Sequence, residues 1–135
     1  GSGVNLLPLV AGFALSVAPV APATLGFLGG YDAAGIVGHT TPLTPLSTVL
    51  DQDQTASAAG KADAAATLVG TPRWLLPFMG GFTAASLPST GPALLDLGWI
   101  FIVPPGGYFG IGALTVVTGF AAILWEELPI PSQVA

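Results

Sequence analysis

The sequence predicts a mainly α-helical membrane protein, and three observations predict it. The stretch Tyr108 to Trp125, YFGIGALTVVTGFAAILW, holds no charge, no proline and no Asn or Gln, and Glu126-Glu127 end it abruptly. Its length lies at the lower end of the ~17–25 residues with which a helix crosses a hydrocarbon core. Charged residues make up 7% of the chain and the mean hydropathy is +0.79, whereas ordinary soluble domains carry roughly 25% charged residues. A monomer of this composition in water would expose large apolar patches. Thirdly, 19 Gly and 13 Pro cut the remaining apolar sequence into short pieces, which suits small membrane subunits whose irregular backbone is covered by neighbours.

The 135 residues are read as a single membrane-embedded subunit. Residues 4–30 contain no charge, and Pro8, Pro19 and Pro22 interrupt them. Three readings compete there: a kinked transmembrane helix over 6–28, an extended apolar arm laid on a partner, or a leftover targeting segment ending near Ala21-Pro22-Ala23. Residues 31–73 form a polar, irregular loop. Thr41-Pro42-Leu43 and Thr44-Pro45-Leu46 repeat one motif, and each proline pushes its predecessor to extended geometry. Residues 51–66, DQDQTASAAGKADAAA, are the low-complexity part, read as an exposed loop or short surface helix.

Residues 74–103 supply short apolar or interfacial segments broken at Pro77, Gly80-Gly81 and Ser89-Thr90-Gly91-Pro92. The transmembrane helix occupies 106–127, its apolar part covering 108–125, and 128–135 are a tail. On that helix Gly112, Thr115, Gly119 and Ala122 fall on one face, a stripe of small residues against which a second helix packs closely. Trp74, Trp99 and Trp125 stand near the ends of apolar blocks, as aromatic anchors at a membrane interface do.

Composition excludes several functions. With only Lys61 and Arg73 against seven acids, the net charge is −5, and nucleic acid is no partner, because phosphates demand Lys and Arg. There is no cysteine, hence no disulfide, thiolate zinc site or iron–sulfur centre. His39 is the only histidine, so a His-based triad lacks members. It is a candidate pigment ligand, to chlorophyll magnesium or haem iron, against the plainer reading of a loop residue bonded to a carbonyl. Asp51, Asp53 and Asp63 do not provide the ligand register of a calcium loop. Asp96, in apolar surroundings, is either a paired acid at membrane depth or a cap for the residues from Trp99 onward. No catalytic residue and no metal site is expected.

Ser86 to Trp99, SLPSTGPALLDLGW, resembles the stretch before the last membrane helix of the PsaO family of small photosystem I subunits. The similar residues are Pro88, Thr90, Gly91, Pro92, Ala93, Leu94, Asp96 and Trp99, about a tenth of the chain. Ser89 and Leu95 are extra, and the helix that follows lacks a histidine. The resemblance implies a chloroplast thylakoid location, core and antenna proteins as partners, and contacts with chlorophyll and carotenoid. The expected function is thus a non-catalytic integral-membrane subunit bridging larger photosynthetic subunits. Two alternatives stay open: a self-assembling coat or filament protein whose apolar arms interlock with identical copies, and an ion-translocating subunit with Asp96 as carrier.

Overall fold

The computed structural model describes residues 3–31, 37–48, 58–68, 71–82 and 93–130, all of them in strands, turns or irregular chain. The strands are β1 (Val4–Leu15), β2 (Ala23–Tyr31), β3 (Gly38–Leu43), β4 (Ala62–Thr67), β5 (Arg73–Phe82), β6 (Ala93–Asp96), β7 (Gly107–Ala113) and β8 (Gly119–Pro129). Two three-stranded antiparallel sheets, in the orders β6-β1-β8 and β5-β2-β7, face each other. The third sheet is a two-stranded ribbon of β3 and β4. The segments after β1, β6 and β7 each carry the chain from one facing sheet to the other.

The predicted transmembrane helix is absent. Residues 108–125 are two strands in two different sheets, β7 and β8, joined by an irregular link at 114–118. Among the described residues no helix is long and apolar enough to cross a membrane, and the mainly α, transmembrane photosystem expectation is corrected accordingly. The physical reason lies in the stretch itself. A charge-free run reads alike as a membrane helix and as a pair of buried strands. Gly110, Gly112 and Gly119 each weaken a helix by about 1 kcal/mol, and Thr115-Val116-Val117-Thr118 is a β-branched run. Along β7, Phe109 and Ile111 pack on the core while Tyr108, Gly110 and Gly112 alternate with them, the two-residue period of a strand.

The other expectations shift in the same way. Residues 4–30 form β1 and β2 in place of a kinked helix or arm; the irregular loop 31–73 includes β3 and β4; and the interfacial segments 74–103 include β5 and β6. In β1, Pro8 opposes Trp125 and Val10 opposes Leu124, which leaves Leu9 as the extra residue of a bulge. A proline, with no N–H for the ladder, is tolerated at such a place.

The core is small and apolar. Ala11, Phe27 and Leu97 are wholly buried, with Phe78, Leu95, Phe101, Phe109, Ile111 and Ile123 packed around them from both sheets. Phe27 meets the Phe78 ring at 4.9 Å and stacks on Phe109 at 5.3 Å, and Phe101 continues the chain of rings at 5.3 Å from Phe109.

Candidate assembly surface

The four residues of the expected helix-docking stripe are placed by this fold against their own chain. Gly112 of β7 opposes Gly26, and a Cβ there would meet Leu28 and, at 3.2 Å, Trp74. The Thr115 hydroxyl donates to the Pro22 carbonyl at 3.0 Å, tying one sheet-to-sheet link to another. Gly119 opposes Leu15, where a Cβ would collide with the Ala14 carbonyl oxygen and, at 2.7 Å, the Phe13 ring. Ala122 opposes Gly12. At Gly112 and Gly119 neighbouring strands leave no room for a larger side chain, whereas Ala122 is exposed.

Two of the tryptophans stand out from the surface. Trp74, about half exposed, lies over Gly26 and Gly112 of the two adjacent strands. Trp99 sits in a turn in which the Ile100 N–H donates to the Leu97 carbonyl at 2.9 Å. Its φ of 66° is a left-handed conformation rare for a bulky residue. Asp96 organises this turn by accepting the Gly98 N–H at 2.8 Å, an Asx-type bond, so its structural partner is local backbone. Trp125 is half-buried, and its indole N–H donates to Glu127 at 3.3 Å.

His39 lies on β3, where its Nδ1 pairs with the Asp63 carboxylate of β4. The Thr40 and Thr67 hydroxyls meet at 3.2 Å on the same ribbon. The other Asp63 oxygen is buried with no hydrogen-bond partner among the described residues. Those residues contain no cluster of three or more His, Cys, Asp or Glu able to hold a metal. Asp51, Asp53 and the first part of the photosystem-like stretch, 86–92, lie outside the described residues. An open cleft of about 600 Å³ beside Tyr31, Tyr108 and Phe101 has Arg73 as its single charged lining residue.

Glu127, which the sequence suggests only as the end of the apolar run, is clamped by backbone. The Ala59 N–H donates to its Oε2 at 2.9 Å and the Gly60 N–H to its Oε1 at 2.7 Å. Burial pushes this carboxyl up, but the two backbone N–H groups and the Trp125 indole outweigh it and hold it below the ordinary glutamate value of 4.5. Nothing local signals this clamp, since its halves are 67 residues apart.

What faces outward is apolar. On the β6-β1-β8 sheet, Leu94 is 72% exposed, Phe120 74% and Leu124 40%, and they flank Gly12 and Ala122 on the side away from the core. At the Trp99 turn, Ile100 and Ile102 are exposed as well. Comparison with family models, curated sequences and solved structures gave no match.

Proposed function

We propose that this chain is a structural protein that assembles with copies of itself through its apolar sheet surfaces and open strand edges. The observation that carries the reading is the set of exposed large apolar side chains, Leu94, Phe120 and Leu124 on one sheet face and the Trp99-Ile100-Ile102 turn, over a core of few large side chains. Contiguous apolar patches of this kind mark interaction sites. The net charge of −5 serves such a subunit by keeping free copies apart until their apolar faces meet. Such a subunit performs its role by geometry, through the close-packing surfaces it offers.

Sedimentation velocity in detergent-free buffer tests this. Discrete oligomers or filaments that grow with protein concentration and resist 1 M salt are the expected result, since apolar contacts survive screening that weakens ionic ones. A single monomeric species across the concentration range would overturn the reading.

A further inference from the structure

Strand β8 pairs with β1 on one side, and no described strand pairs on its other side. The direction of its backbone groups follows from the register. The Ser16 N–H donates to the Thr118 carbonyl at 3.1 Å. The register from Leu15↔Gly119 to Val10↔Leu124 is unbroken. Hydrogen-bonded pairs alternate along an antiparallel ladder, so Phe120, Ala122 and Leu124 direct their N–H and C=O toward β1. Gly119, Ala121, Ile123 and Trp125 therefore present theirs at the open edge. Such a row is a template for another strand.

We infer that the strand it takes is β8 of a second copy, antiparallel and centred on Ala122, giving a continuous sheet β6-β1-β8-β8-β1-β6. This rests on the self-assembly reading and names its first contact. The sequence Gly119-Phe120-Ala121-Ala122-Ile123-Leu124-Trp125 is complementary in size to its own reverse about that centre. Gly119 opposes Trp125, Phe120 opposes Leu124, Ala121 opposes Ile123, and Ala122 opposes itself. Residues opposite one another share a sheet face, so the exposed Phe120 and Leu124 cover each other. The edge-facing pairs Ala121–Ile123 and Gly119–Trp125 are the ones that exchange hydrogen bonds. A large ring over a glycine is a recognised way to stabilise an edge pair. Charge selects the same arrangement: Glu126 then faces Thr118 and Glu127 faces Val117, whereas a parallel pair would set each glutamate beside its own copy. A two-fold axis through Ala122 closes the contact as a dimer.

The test uses the full chain, which has no native cysteine. In Ala122→Cys the two sulfurs of a dimer would sit on a non-hydrogen-bonded pair, with Cα atoms about 4.5 Å apart, inside the range that a disulfide spans. Mild oxidation is expected to give a covalent dimer, while Leu114→Cys, on the irregular link after β7, stays monomeric under the same conditions. Separately, Ala122→Lys and Ala122→Glu place like charges opposite each other, and each alone is expected to weaken self-association roughly tenfold. Mixing the two variants restores it. Association of the wild type with no Ala122→Cys cross-link and no charge-swap rescue would overturn this edge and leave assembly standing. A wild type that never associates would overturn both.

Discussion

The sandwich and the β3–β4 ribbon consist of similar extended chain, yet opposite forces hold them. In the sandwich Phe27, Leu7, Leu25 and Leu97 are fully buried, and Ala11 of one sheet packs with Phe27 of the other and with Leu97 in a common core. In the ribbon no apolar side chain is buried, and only the Asp63 carboxylate is largely covered. Its strands meet through the His39–Asp63 pair and the Thr40–Thr67 hydroxyls, and the chain leading into β4 is fastened to β8 by Glu127. A lone two-stranded ribbon is marginal in water, so this polar fastening does what burial does elsewhere.

The largest expected effect breaks the sandwich side of that contrast. Phe27→Ala removes the side chain on which both sheets converge, at a cost of about 3–5 kcal/mol. That is most of the ~5–15 kcal/mol by which small domains are stable. The variant should lose its cooperative thermal transition by circular dichroism at 37 °C, whatever the state of the ribbon. A Phe27→Ala protein melting within a few degrees of wild type would show that the core is not what holds the sheets.

A second, smaller effect separates two positions within the sandwich. At Gly119 an added methyl meets the Ala14 carbonyl, part of the β1 backbone, whereas at Gly112 it first meets the flexible end of Leu28. Gly119→Ala should therefore cost about 1–3 kcal/mol, the range for overpacking a fixed neighbour, and Gly112→Ala measurably less. Urea denaturation of the two variants checks the order; equal losses would deny the distinction. The pair also shows what the sequence disclosed. The spacing of Gly112, Thr115, Gly119 and Ala122 points to a helix face awaiting a second helix, whereas no described helix forms and Gly112 and Gly119 meet neighbouring strands of the same chain. The strands are not legible, because three-to-four spacing in a charge-free run fits a helix face, while the alternation of Phe109 and Ile111 with glycine is only a few residues long. For Asp96 the sequence suggests a helix cap or a paired acid at membrane depth; it accepts the Gly98 N–H in a turn that no described helix follows. For Glu126-Glu127 it suggests only the end of an apolar run, since no local pattern announces a contact with Ala59 and Gly60.

The smallest of these effects sharpens the ribbon side. Glu127→Gln keeps one acceptor oxygen but turns an N–H-bearing end toward one of the two backbone donors. Charged hydrogen bonds of this kind contribute about 1.5–3 kcal/mol, so a loss near the low end is expected at pH 7. Because the folded-state value of Glu127 lies below 4.5, the folded protein holds this site more deprotonated than the unfolded chain does. The stabilisation is therefore complete above the unfolded value and disappears as pH falls through the folded one. The difference between wild type and Glu127→Gln in urea midpoints should shrink steadily below about pH 4.5. Hydrogen exchange at pH 7 locates the effect: amides of β4 should exchange faster in the variant while those of β2, under Phe27, stay protected. Uniform acceleration across both would mean that ribbon and sandwich open together, and that the polar clamp belongs to the stability of the whole.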